Sequence, residues 1–192
     1  MNAAPQTARG REIVIGLTGG IACYKTAALV SRLVQAGHGV SVVMSDSAEH
    51  FVGPATFEAL TGRPVHRALF GDREFPLGAH IGLAQRAELV CVAPATANLL
   101  GKLAHGLADD LLSTMLLATK APVLLAPAMN ATMWEQPSVQ RNVAQLRSDG
   151  FELIDPAEGW LSCRQQGTGR MAEPEEILAR IEARLAAIRP PS

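Results

Sequence analysis

Cysteine is scarce and scattered in this sequence: Cys23, Cys91 and Cys163 are odd in number, form no CxxC pair and have no histidine pair beside them. Such spacing argues against both a disulfide framework and a zinc site, and leaves three separate thiols. Aromatic residues make up only 4% of the chain and the formal net charge is −1, so the stacking platform and basic field that a nucleic-acid partner needs are both missing. Small molecules remain as the ligands to expect. No apolar run approaches the roughly 18 residues of a membrane span, and the opening stretch MNAAPQTARGRE lacks the apolar core of a signal peptide. A soluble, cytoplasmic protein without a membrane partner is therefore expected. Also missing are a GKS or GKT phosphate loop, a G-x-S-x-G nucleophile elbow, a metal-ligand cluster, internal repeats and low-complexity segments.

What is present is a core-forming chain: 192 residues, 48% hydrophobic, suit one globular domain. The expected layout is a flexible segment 1–10, a single domain 11–189 and a short tail 190–192. EIVIGL (12–17) is a β-branched run feeding a glycine turn, and Ala27, Leu29, Val30, Leu33 and Val34 then recur at helical spacing, with Gly37 and Gly39 closing that helix. VSVVM (40–44), LVCVAP (89–94), PVLLAP (122–127) and FELID (151–155) read as further strands, with helices over 95–119, broken near Gly106, and over 137–148. A last helix opens at Glu173-Pro174-Glu175-Glu176 and carries the stripe Ile177, Ile181, Leu185 and Ile188. Strands alternating with helices predict an α/β fold, a single Rossmann-like doubly wound parallel sheet flanked by helices.

Ligands of such sheets sit at the carboxyl ends of the strands, which directs attention to the segments that follow each strand. TGGIACYK (18–25) has two glycines and an immediate helix start, which suits either an anion or nothing more than a tight turn. Ser45, Asp46 and Ser47 either offer hydroxyls to that anion or cap the next helix, and Asp46 also keeps open a nicotinamide site through a ribose contact. PATANLLGK (94–102) and PAMNATMW (127–134) put Thr96, Asn98 and Asn130 at strand ends beside Met129, Met133 and Trp134. Amides and a hydroxyl next to soft apolar groups suit a planar heteroaromatic ligand, although the Met and Trp residues equally suit ordinary core. His80, in GAHIGLAQRA, is either a general base or a capping residue. Cys163 stands alone in GWLSCRQQGTGRM (159–171).

Together these segments resemble the homo-oligomeric flavin-containing cysteine decarboxylase family, from Arg11 to about Ile188. PATANLLGK is similar to the family's P-x-S-A-N-T segment with Thr96 for serine, PAMNATMW satisfies P-x-M-N-x-x-M-W in full, and His80 opens an H-I-x-L element. The resemblance implies FMN, with its phosphate at Gly19, Gly20, Ile21 and Ala22 and at Ser45, Asp46 and Ser47, and the rest along Thr96, Ala97, Asn98, Leu99 and Ala128. It implies His80 as base, Asn130 as ligand of the substrate carboxylate and the 159–171 loop as a clamp bringing Trp160, Leu161, Ser162, Arg170 and Met171, with Met133, to the substrate; the glycines at 159, 167 and 169 predict a mobile loop. In relatives the flavin lies between subunits of a trimer, which implies a homo-oligomer with a shared site.

Within the family, the coenzyme A branch is implied: decarboxylation of 4′-phospho-N-pantothenoylcysteine to 4′-phosphopantetheine by transient oxidation to a thioaldehyde, loss of CO2 and re-reduction. Cys163 supplies the last proton in that scheme. Since nothing follows Ser192, the expected enzyme is a monofunctional carboxy-lyase with a separate synthetase supplying its substrate. Two rivals are a peptidyl-cysteine decarboxylase that stops at the enethiol and a flavin-binding regulatory subunit. The clamp departs from the family pattern A-C-G-D-x-G-x-G-R-M, carrying Ser162, Arg164, Gln165 and Gln166 in place of its first residues around the cysteine, which bears on substrate preference.

Overall fold

In the first strand, β1 (Glu12–Leu17), successive side chains leave on opposite faces of the sheet. Ile13, Ile15 and Leu17 enter one apolar cluster and Val14 enters the other, so both faces are covered and the strand is apolar almost throughout. The computed structural model describes residues 10–72, 74–76, 78–160, 164 and 166–188.

After β1 the chain runs through α1 (Cys23–Gln35), β2 (Gly39–Met44), a 3-10 turn (Asp46–His50), α2 (Pro54–Thr61) and the edge strand β3 (Val65–His66). It then crosses back through α3 (Ala79–Arg86), β4 (Leu89–Ala95), α4 (Ala97–Ala104), α5 (Leu111–Ala118) and β5 (Val123–Pro127). The short α6 (Ala131–Glu135), α7 (Pro137–Ser148), β6 (Glu152–Leu153), a hairpin of β7 (Ala157–Trp160) and β8 (Gln166–Arg170), and α8 (Pro174–Ala187) complete the order. The main sheet reads β3-β2-β1-β4-β5-β6, with every neighbouring pair parallel. The predicted doubly wound α/β sheet is therefore what the chain forms. Residues from α1, α2 and α8 pack on one face, and residues from α3, α4, α5 and α7 on the other.

Three local readings are corrected. The strand over FELID contracts to Glu152 and Leu153, because it is an edge strand and Pro156 has no N–H with which to extend a ladder. Gly39 does not close α1; Gly37, at φ +88, makes that turn, and the Gly39 N–H donates to the Arg11 carbonyl as β2 begins. Residues 159–171 are not simply a loop, since most of their described part forms the antiparallel β7–β8 ribbon.

Because β2 and β4 flank β1, the chain leaves β1 toward one sheet edge and later returns to its other side. A crevice opens outside the carboxyl ends of strands at such a switch point. Thr18 locks it: its Oγ1 donates to the Pro94 carbonyl (2.7 Å) and accepts the Thr96 N–H (2.9 Å), tying the ends of β1 and β4 together.

Candidate active site

Two adjoining cavities lie at this switch point and share Gly19 and Thr96 in their walls. The first, about 430 Å³, brings together Gly19, Ser45, Asp46, Ser47, Thr96, Asn98 and Leu99. The second, about 500 Å³, brings together Gly19, Gly20, Ile21, Ala22, Thr96, Ala97, Ala128, Asn130, Met133, Trp160, Arg170 and Met171. Every expected cofactor contact thus lines one cavity or both. Of the expected substrate contacts, Leu161 and Ser162, like Cys163, lie outside the described residues.

The local backbone explains the anion preference of the glycine turn. The N–H groups of Cys23, Tyr24 and Lys25 are taken by the carbonyls of Gly20, Ile21 and Ala22. Among the described residues nothing accepts from the N–H groups of residues 19–22, so the donors for an anion come just before the helix and not from its first turn. Gly19 is required by crowding, since a Cβ there would stand 2.4 Å from Ser47 Cβ and 3.0 Å from the Ser47 carbonyl. That approach brings the turn against Ser45, whose hydroxyl is buried with no hydrogen-bond partner and makes no helix-cap bond. Buried hydroxyls are rarely left so. The FMN implied by the motifs fits this cradle, with phosphate acceptors for the unpaired donors and the apolar walls of Ala97, Ala128 and Met129 for a ring.

Asn130 caps the short helix that follows it. Its Oδ1 accepts the Thr132 N–H (2.8 Å) as N-cap of α6; the amide end is the one whose sign suits a carboxylate. Strand β8 is fastened to the same turn: Met129 N–H donates to the Gly169 carbonyl (2.9 Å), and a Cβ on Gly169 would lie 2.3 Å from the Met129 carbonyl. Likewise Gly167 would push a Cβ to 2.8 Å from that of Ala131. These two glycines serve close packing of β8 on the Asn130 turn, and not merely mobility. Met129 lines the second cavity, whereas Trp134 lines neither and packs against the core.

The sequence profile of the flavoprotein family matches residues 1–186. The chain belongs to the flavoprotein family. It is 48% identical over 176 residues, 92% of its length, to the coenzyme A biosynthesis bifunctional protein CoaBC of Bacillus subtilis, and spans 43% of that relative's length. Among solved structures it is similar to a cysteine-to-serine variant of PPC decarboxylase complexed with pantothenoylaminoethenethiol, at TM-score 0.81 and 29% identity, covering 91% of this chain and 98% of that one. It is also similar to the FMN-dependent cysteine decarboxylase SpaF, at TM-score 0.78 and 32% identity, covering 94% and 98%.

His80 stands apart from both cavities of this flavoprotein. It is the second residue of α3, and its Nδ1 is buried without a partner. Because α3 leads into the amino end of β4, its own first turn lies toward the carboxyl-end face that carries the site. Burial pushes the Cys91 thiol up to about 12 and raises that of Cys23, so both are inert core thiols.

Sequence reasoning missed Lys25. Only 7% exposed, it lines the second cavity and its Nζ reaches the Met171 carbonyl (3.4 Å) and Glu173 (3.0 Å). The signal was a lone lysine on the stripe that α1 buries with Leu29 and Leu33. Arg170 pairs with the same Glu173 carboxylate, so its charge is already partly answered. Lys102 was missed too; it holds Asp109 (2.5 Å) and Asp110 (2.8 Å) at the rim of the first cavity.

Burial alone would raise the Asp110 carboxyl, but the bonds from Lys102 and Ser113 hold it below the ordinary value; at Glu12 the Arg63 bond does the same. Carboxyls held low contribute stability that is present above the unfolded value of about 4 and lost as pH falls through the folded ones. Thermal melts are therefore expected to be level above about pH 5 and to fall steadily below about pH 4.

Arg164, which replaces a glycine of the family pattern, sits at φ +63, in the left-handed region. The position keeps the geometry of glycine while carrying a side chain that disfavours it, at a cost of about 1 kcal/mol. Arg164→Gly is expected to slow amide hydrogen exchange in β7 and β8; unchanged or faster exchange would show that no strain is stored there.

Proposed function

We propose that the chain catalyses FMN-dependent decarboxylation of 4′-phospho-N-pantothenoylcysteine to 4′-phosphopantetheine in coenzyme A biosynthesis. The observation that carries this reading is the shared wall of the two cavities, which joins a phosphate cradle at residues 19–22 and Ser45 to a chamber lined by Asn130 and β8. The names of the relatives above supply the substrate class.

FMN, when bound, supplies reversible hydride acceptance, which permits oxidation of the cysteine side chain before CO2 leaves and its reduction afterwards. The chain's residues do the rest. Asn130 orients the substrate carboxylate by donating to it. Met133, Trp160 and Met171, with Leu161 and Ser162, enclose the acyl chain, and Arg170 steadies Glu173 beside it. His80 takes the substrate proton, and Cys163 returns one at the end, a role suited to a thiol of ordinary value about 8.5.

The same reading includes a homotrimer with shared sites, because His80 lines neither cavity of its own chain and Ile81 beside it is 45% exposed. It assigns this chain one of the two activities of its bifunctional relatives, with the synthetase outside these 192 residues, and places it in the cytoplasm. No helix among the described residues is long and apolar enough to cross a membrane.

The test is direct: yellow protein incubated with the phosphorylated substrate yields CO2 and a thiol product, and absence of both overturns the proposal. Cys163→Ser is expected to accumulate the enethiol, which is the end product of the peptidyl-cysteine alternative, and unchanged thiol formation refutes its proton-donor role. Mixed oligomers of His80→Gln and Asn130→Asp subunits regain activity if the site is shared, and stay inactive if it is not.

A further inference from the structure

We propose that His66 is a positioning residue for His80, acting through the strap that connects β3 to α3. The proposal rests on the reading of His80 as the base.

His66 ends the edge strand β3 and is only 2% exposed, where an apolar side chain would cost less. Its Nδ1 stands 2.6 Å from Asp72 Oδ2, and Glu74 Oε2 lies 3.5 Å from Nε2, which makes no hydrogen bond. Burial would raise the Asp72 carboxyl, but the His66 bond and the N–H groups of Phe75 and Glu74 hold it low. Asp72 is thus an acceptor at neutral pH, and Nδ1 of His66 carries the proton.

The other Asp72 oxygen accepts the N–H groups of Glu74 (2.9 Å) and Phe75 (3.0 Å). The Phe75 carbonyl then accepts the Gly78 N–H (3.0 Å), and the Gly78 carbonyl accepts those of Ile81 and Gly82, the first turn of α3. The Phe75 ring rests on Gly82, where a Cβ would meet it at 2.1 Å, and lies 5.5 Å from the His66 ring. Arg86 covers Phe75 at 4.6 Å while bonding Glu74 at 2.6 Å, so Glu74 and Phe75 are held by α3 as well as by Asp72. At its end the His80 ring lies over Gly78, with Cε1 3.1 Å from where a Cβ would stand. Gly78 has φ +123, so any slackening of the Asp72 turn is passed to the backbone on which the imidazole rests.

A misplacement of a catalytic group by about 1 Å can cost about a hundredfold in rate. His66→Leu is therefore expected to lower kcat about 10- to 100-fold, with KM and FMN affinity within about twofold of the parent. His66→Asn, which keeps a donor near the Nδ1 position, should stay within about threefold. In a His80→Gln background His66→Leu should cost less than about twofold more, because its effect runs through His80. Imidazole NMR, with the His80 resonances assigned by their loss in His80→Gln, should show them displaced in His66→Leu and not in His66→Asn. Equal losses in both backgrounds, or parallel losses of FMN affinity and rate, would overturn the proposal. If His66→Leu does not fold, Asp72→Ala takes its place in each measurement. If His80→Gln keeps the parental rate, the base reading itself falls, while the resonances still decide whether His66 orients that ring.

Discussion

Asn130→Asp protein is expected to keep the N-cap of α6, yet its kcat/KM for the proposed cysteine carboxylate substrate should fall about 10²- to 10³-fold. Both halves follow from the two ends of one side chain. Aspartate is as good an N-cap as asparagine, so the bond that Oδ1 accepts from the Thr132 N–H survives and α6 still begins at Ala131. The donor is lost, however, and a negative charge stands where the proposed reading docks the substrate carboxylate. A hydrogen bond to a charged group contributes about 1.5–3 kcal/mol, and added repulsion brings the loss to about 3–4 kcal/mol, which is the stated range at 1.4 kcal/mol per tenfold. CO2 release and a melting curve on one preparation check it. A variant within about threefold of the parent would mean that Asn130 is only a helix cap.

Gly19→Ala is expected to purify nearly colourless, with FMN affinity down about a hundredfold. The new methyl would overlap Ser47 Cβ at 2.4 Å and press on its carbonyl at 3.0 Å, and backbone cannot turn aside as a flexible side chain can. The glycine turn and the 45–47 segment must separate, which parts the N–H groups of residues 19–22 from the Ser45 hydroxyl. Affinity that depends on both converging on one phosphate is then lost, since preorganised donors no longer match. Because a ligand stabilises the state it binds, the rise in melting temperature on adding FMN should shrink with it. Gly53→Ala, whose Cβ would enter open space, is the control and keeps the parental flavin content. Full retention of FMN by Gly19→Ala would show that the cradle is not where the phosphate sits.

Much of this was legible in the chain itself. The runs at 12–17, 89–94 and 122–127 announce buried parallel strands because both faces of such strands meet helices, and β1, β4 and β5 lie there within a residue or so. The segments after those strands were legible as site because polar residues follow buried strands directly, and Thr96, Asn98 and Asn130 do line the cavities. The hairpin of 157–170 was less legible, for its glycines read as freedom. Their reason, contact with Ala131 and the Met129 carbonyl, lies in another segment.

The sequence by itself determined the doubly wound sheet and the residues at its strand ends, because hydrophobic periodicity and glycine chemistry are local and repeat in register with the chain. Only the tertiary structure decided which distant groups meet: Thr18 with Pro94 and Thr96, Lys25 with Glu173, and His66 with Asp72 ahead of His80. Such pairings depend on how strands order themselves across the sheet and on how closely backbones pack. Neither quantity has a period that a reader of one segment could see.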